Sequence, residues 1–379
     1  MNADELQQTL EGHFRHLHRH PELSFKEYET TAYIKRSLEE AGVEVLDTGL
    51  ETGLVARVRG NGGGKKVALR ADIDAIPVSE ATGLAWASEN PGVMHACGHD
   101  FHTAGLLGAA MLLNEKKSGL DGEVLLVFQP AEEVSGGAAS VLKTGVLDGV
   151  QEIYGLHTAP DYESGVVALK AGGTFAAVAA FKITITGKGG HAAMPHLCHD
   201  PVYAQAALIT GAQSIISRNS DPFAPVVLSF THVEAGKTWN VIPPRAFVEG
   251  TIRALSTEKA RHTVQRLSAL CRGLDAHEVT AEIDWWMDAP ATNNNAELTR
   301  FAENTARELG FTVTEYTPTM AGEDFALYQE KIPGVFINFG VGSPHGLHHP
   351  EYRADPAGLA SAARLLAALA EKTLQDCRA

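Results

Sequence analysis

The chain has 379 residues, 44% of them hydrophobic and 20% charged, a length and balance that predict two domains or one large domain with an insertion. A formal charge of −15 argues against nucleic acid or an anionic membrane as partner, since each needs a basic face. Residues 1–10 are polar, no apolar run approaches membrane-spanning length, and the four cysteines (Cys97, Cys198, Cys271, Cys377) show no disulfide spacing, which predicts a cytoplasmic protein with reduced thiols.

Leu6, Leu10, Phe14 and Leu17 are spaced for one apolar face, so residues 3–20 read as a helix that Pro21 ends. His13, His16, His18 and His20 read as a polar face beside that stripe, because no carboxylate stands between them as in a zinc-protease helix. A second helix is expected over 27–41, stopped by Gly42. Strands follow at 54–59 and 66–73, joined by Asn61-Gly62-Gly63-Gly64. That glycine run lacks the Lys-Ser/Thr of a phosphate-binding loop and reads as a hairpin turn. The second strand ends in RADIDA (70–75), where Asp72 and Asp74 alternate and so share a side, either at the mouth of a site or on a solvated surface.

The next stretch, MHACGHDFH (94–102), gathers one thiol, three imidazoles and one carboxylate. Imidazole and thiolate ligate divalent transition metals, and a carboxylate can fix the tautomer of a ligating imidazole. A small, apolar segment at 103–117 predicts a buried helix, and the apolar run at 122–128 a central strand covered on both faces. That strand delivers QPAEE (129–133), whose adjacent Glu132 and Glu133 a bound cation would compensate, one as ligand and one for proton transfer. Another apolar strand, at 153–157, ends in His157. Strand ends of successive βα units converge on one edge of an open sheet.

From about residue 170 the pattern becomes strand (179–186), helix (201–217), strands (226–234, 246–255) and helix (257–274), which predicts an inserted α+β domain at 172–286. It carries GKGGH (187–191), NVIP (240–243) and GTIR (250–253). The flanking segments, 1–171 and 287–379, form the first domain, with a helix at 297–309, MAGEDF (320–325), a strand at 334–341 and LHHPEY (347–352). Asp355 and Pro356 read as N-cap and first residue of a final helix.

In this order the motifs resemble the M20 metallopeptidase family, and in particular its amidohydrolase branch, essentially end to end. The resemblance implies an α/β fold: a dinuclear-metal exopeptidase-like catalytic domain with a mixed, largely parallel sheet, plus the inserted α+β lid and dimerisation domain. It implies two divalent ions per subunit held by Cys97, His99, Glu133, His157 and His348, with Glu132 as general base and Asp74 orienting a ligand. Cys97 stands where other members have a bridging Asp. A thiolate leans toward zinc, with manganese, cobalt or nickel as further candidates.

The implied reaction is hydrolysis of the amide bond of an N-acyl-L-amino acid by a homodimer. His191, reaching in from the partner subunit, would stabilise the oxyanion, and Asn240 and Arg253 would grip the substrate carboxylate. Dipeptidase, carboxypeptidase or N-acetyl-diaminopimelate deacetylase activities fit the same motifs. Two rivals stand beside this reading: a thiol hydrolase with Cys97 as nucleophile and His99 or His102 as base, and a non-catalytic metal-binding protein.

Overall fold

Two apolar runs, Gly122–Gln129 and Gly334–Gly340, are buried at every position and lie near the middle of one large sheet. The structure is a computed structural model describing residues 1–375, so Cys377 lies outside the described residues. Contacts divide the chain into two compact units: residues 1–172, 293–317 and 324–375, and residues 173–292 with 318–323.

The first unit holds strands β1 (Glu44–Leu46), β2 (Leu54–Arg59), β3 (Lys65–Asp72), β4 (Gly122–Gln129), β5 (Glu152–Ala159), β6 (Val167–Leu169), β15 (Val313–Glu315) and β16 (Gly334–Gly340). They form an eight-stranded sheet in the order β1-β2-β4-β3-β5-β16-β6-β15. Neighbours β4, β3, β5 and β16 are mutually parallel, whereas β1, β2 and β6 join antiparallel to their inner neighbours. The fold class expected from sequence is the one found.

Helix α1 (Ala3–Arg19) starts with a capping box between Asn2 and Glu5 and buries Leu6, Leu10, Phe14 and Leu17. Helices α2 (Tyr28–Glu40), α3 (His99–Glu115), α4 (Gly137–Lys143), α7 (Ala296–Glu308), α8 (Ala326–Gln329) and α9 (Leu359–Gln375) complete the unit. The largely buried α3 packs against α1, α9 and the sheet, so even its polar first turn faces inward. It begins at His99 rather than Thr103, so half of the 94–102 motif forms its first turn. Asp355 caps a 3-10 turn (Pro356–Gly358), and α9 follows that turn.

The glycine run at 61–64 is not a hairpin. Strands β2 and β3 do not pair with each other; β4 lies between them. The loop passes instead against the turn entering β4, with Gly60 N donating to Gly122 O and Asn61 N to Leu120 O. A Cβ at Gly60 would sit 2.2 Å from Leu120 O, and one at Gly64 2.3 Å from Asp121 O, so the glycines permit a close backbone crossing.

The second unit is an antiparallel sheet, β10 (Val226–Ala235), β12 (Arg245–Ala254), β8 (Ala177–Thr186) and β13 (Thr280–Ala289), in that order. Helices α5 (Pro201–Asn219) and α6 (Thr257–Arg272) contribute Leu208, Ile215, Val264 and Leu267 to its core. Two small ribbons accompany it: β7 (Gly172–Phe175) with β14 (Thr292–Asn294), and β9 (Gly190–His191) with β11 (Val241–Ile242). The boundary expected at 286 cuts β13 in half. The unit continues to Thr292 because β13 pairs with β8 as far as Ala289. Residues 318–323 join it through hydrogen bonds from Thr319 N to Thr174 O and from Ala176 N to Ala321 O.

Candidate metal centre

Because β3, β4 and β5 run parallel, the residues at and beyond their carboxyl ends share one sheet edge. Asp72 closes β3, Gln129 closes β4 opposite it, and His157 lies near the end of β5. Asp74, Glu132 and Glu133 follow within a few residues, and the loop after β16 supplies His348.

Asp74 organises the turn after β4. Its two carboxylate oxygens accept the backbone N–H groups of Glu132 and Glu133, each at 3.1 Å, and Ser24 Oγ donates at 2.7 Å. Ala131, just before the two glutamates, has φ 51° and donates its N–H to the buried Glu27 at 2.8 Å. A left-handed non-glycine residue costs about 1–2 kcal/mol, and these hydrogen bonds offset it. Burial opposes the charge on Asp74, yet the hydrogen bonds from His99 and Ser24 hold it below the usual carboxylate range.

Gly98 precedes α3 with φ 83°. A Cβ there would lie 2.4 Å from Thr158 Oγ1 and 2.7 Å from Tyr352 Oη, so glycine lets the Cys97–His99 turn approach β5. His99 Nδ1 donates to Asp74 O at 2.9 Å and lies 3.2 Å from Asp74 Oδ1, which leaves Nε2 as the lone-pair nitrogen. His157 Nδ1 likewise donates to the Thr158 carbonyl at 2.8 Å, turning Nε2 to within 3.6 Å of Cys97 Sγ. His348, at φ 64°, donates its backbone N–H to Ala96 O and brings Nε2 to 3.3 Å from Glu133 Oε1. Its neighbour His349 turns away and stacks on His345 with ring centroids 4.4 Å apart.

All five residues expected as ligands therefore meet. Donor atoms of Cys97, His99 and His157 lie within 4.8 Å of one another, as do those of Cys97, Glu133 and His348. The two groups share Cys97. Two buried atoms at their centre, His99 Nε2 and Glu133 Oε1, lie 3.8 Å apart; the first has no well-formed hydrogen bond among the described residues, and the second faces His348 Nε2 at 3.3 Å. Leaving a buried imidazole nitrogen unsatisfied is expensive, and a thiol, imidazoles and a carboxylate gathered this closely would suit divalent transition-metal ions. Glu132 lies at the rim, with donor atoms within 4.8 Å of those of His99 and Glu133. Burial, joined by the Glu133 charge, pushes the Cys97 thiol well above its ordinary value.

Sequence reasoning missed the buried layer beneath. His102 Nδ1 bonds Asp72 at 2.5 Å and its Nε2 accepts the Thr158 N–H at 2.8 Å, so it braces β5 rather than facing the donors. Burial opposes the charge on Asp72, but the Arg70 guanidinium and the hydrogen bond from His102 hold it well below the usual range. His18 is no part of a polar face: it is buried between Asp100 at 2.6 Å and Glu80 at 3.2 Å. Burial disfavours its charge, and the two carboxylates outweigh burial, pushing its pKa up to about 10. The signal for both was the string of polar residues inside segments otherwise apolar enough to be core.

In the second unit, β9 pairs with β11 in the register His191↔Val241, and Ala192 N donates to Asn240 O at 3.1 Å. His191 is exposed and its Nδ1 accepts the Ala193 N–H at 3.1 Å, which leaves Nε2–H as a donor. Asn240 Oδ1 accepts from Thr238 Oγ1 at 3.0 Å. Arg253, half-buried on β12, donates Nε to Thr251 Oγ1 at 3.2 Å.

Residues 68–372 match the model of peptidase family M20/M25/M40. The N-acetyl-L-cysteine deacetylase of Bacillus subtilis (strain 168) is 43% identical over 377 residues, covering 99% of this chain and 91% of that one. An N-acetylcysteine deacetylase of the same organism is 44% identical over 366 residues, 96% of each chain. Among solved structures, the Bacillus subtilis YXEP protein, a dinuclear metal-binding peptidase from the M20 family, is 40% identical and superposes with a TM-score of 0.90, covering 98% of this chain and 99% of that one. This chain belongs to peptidase family M20/M25/M40.

Proposed function

We propose that the protein hydrolyses the amide bond of N-acyl-L-amino acids, with short acyl groups such as acetyl foremost. The observation that carries this reading is the pair of three-donor groups sharing Cys97, with Glu132 beside them. Cys97, His99 and His157 would hold one divalent ion, and Cys97, Glu133 and His348 the other. When bound, such ions polarise the scissile carbonyl and lower the pKa of water toward about 7. Zinc is the first candidate, because the donor set includes a thiolate.

Glu132 takes the proton of the attacking water and delivers it to the departing amine nitrogen, help worth about 10²–10⁴-fold. Asp74 holds the Glu132–Glu133 turn and the tautomer of His99. The Nε2–H of His191 supports its assignment to the oxyanion, while Asn240 and Arg253 take the substrate carboxylate. The protein works as a homodimer through the second unit, with His191 serving the partner's site.

The deciding experiment uses metal-reconstituted Glu132→Gln against N-acetyl-L-cysteine and a panel of other N-acyl amino acids. Metal content stays at two ions per chain while kcat falls by about 10²–10⁴-fold; wild-type turnover removes the base assignment. Mixing Glu132→Gln with His191→Ala restores activity if His191 acts across subunits, and demonstrated heterodimers without activity remove the shared site.

A further inference from the structure

The Arg70 guanidinium is fully buried beneath the metal centre and grips three separate elements. Its Nη1 donates to Asp72 Oδ2 at 2.6 Å, Nε to Gln129 Oε1 at 2.8 Å, and Nη2 to Asp324 Oδ1 at 2.9 Å. Asp324, just before α8, accepts two further groups: Gln129 Nε2, at 2.9 and 3.0 Å from its two oxygens, and the Ala138 N–H at 3.0 Å. One carboxylate is thus tied to β3 through the guanidinium, to the end of β4 and to the first turn of α4. Meanwhile the backbone N–H of Asp324 points at Glu132 Oε1, 3.5 Å away.

We propose that Arg70 and Asp324 are positioning residues for Glu132: the buried ion pair fixes the main-chain N–H of residue 324, and that N–H orients the carboxylate that moves the proton. The inference rests on Glu132 being the base.

A buried ion pair adds little stability compared with well-packed apolar side chains, so core strength alone is a poor reason for this one. A device for geometry is a better one. The contact to Glu132 is at the outer limit of a hydrogen bond, where a displacement of a few tenths of an ångström abolishes it; catalytic contacts of this kind tighten once substrate is bound. Arg suits the position because its planar fork reaches three acceptors at once, whereas Lys offers a single nitrogen.

Arg70→Lys and the near-isosteric Asp324→Asn are compared with wild type as full-length, metal-loaded protein. Melting curves, bound metal per chain, and kcat and KM for N-acetyl-L-cysteine are measured. Both variants are expected to melt cooperatively, to keep two ions and an unchanged KM, and to lose about 10–100-fold in kcat, the cost of a misplaced catalytic group. If Arg70→Lys does not fold, Asp324→Asn carries the test alone. Wild-type kcat in a folded, fully loaded variant overturns the proposal. So does a loss of activity that merely follows loss of metal or a rise in KM, because that is what a structural role would give. Glu132→Gln is run in parallel: if it is active, the base assignment itself falls; if it is inactive while Asp324→Asn turns over normally, only the positioning role falls.

Discussion

Two histidine clusters grow from the same 94–102 motif, and they are built on opposite principles. Around His18, each imidazole nitrogen meets a carboxylate, Asp100 on one side and Glu80 on the other, and Glu80 is further held by Thr82 and by the backbone of Ser88. Around His99, one nitrogen is fixed by Asp74 while the other has no well-formed hydrogen bond among the described residues. In the first cluster protein carboxylates meet both ring nitrogens; the second leaves donor atoms that suit a cation. Burial is common to His18 and His99; what differs between them is that protein carboxylates meet both nitrogens of the first and only one nitrogen of the second is held by Asp74.

Altering the shared donor gives the largest expected break in that contrast. Cys97→Ala should leave bound metal, measured by elemental analysis, well below two ions per chain and remove activity by more than the loss of the base does, while the His18 cluster stays folded. Next comes His18→Gln, which strands two buried carboxylates and should lower unfolding stability by about 3–5 kcal/mol with metal content unchanged; a denaturant titration reads it.

Ligand linkage comes third. Saturating divalent metal at 100 times its dissociation constant should stabilise the fold by about 2.7 kcal/mol, an increment that chelator removes and His18→Gln leaves intact. The pH dependence sharpens the same contrast. His18 has a folded pKa raised from 6.5 to about 10, so its contribution is complete below about pH 6.5 and disappears as pH rises through 10. Thermal melts between those values should fall more steeply for wild type than for His18→Gln. The smallest effect is expected for His349→Ala, which points away from the donors and should keep near-wild-type metal content and turnover, unlike His348→Ala.

Much of the first unit was legible because its central strands are continuous apolar runs and their acids and imidazoles stand where a parallel sheet opens. The five donors came from a resemblance in motif order; the periodicity of the segments alone did not single out His348 over His349. That distinction is made by a left-handed backbone at His348, which local sequence does not announce. His18 reads from sequence as part of a polar face because its partner Asp100 lies 82 residues away and burial there depends on that pairing. The glycine run read as a hairpin because a third strand between β2 and β3 leaves no trace in local pattern. In β13 part of the signal was present, since Ala281 and Ile283 alternate with Thr280, Glu282 and Asp284, but the Trp285-Trp286-Met287 run breaks the alternation and the strand sits half-covered at the edge of its sheet.

The pairing of β5 with β16 joins His157 to Asn338 across the whole inserted unit. On the ribosome, four of the five candidate ligands are made early, yet the strand that flanks β5 and the loop bearing His348 emerge near the end of translation. Until then a strand buried along its whole length in the finished fold offers an unpaired edge, the kind of surface on which nascent chains aggregate. Truncations ahead of residue 334 should therefore be recovered as insoluble or chaperone-bound material rather than as a half-active enzyme.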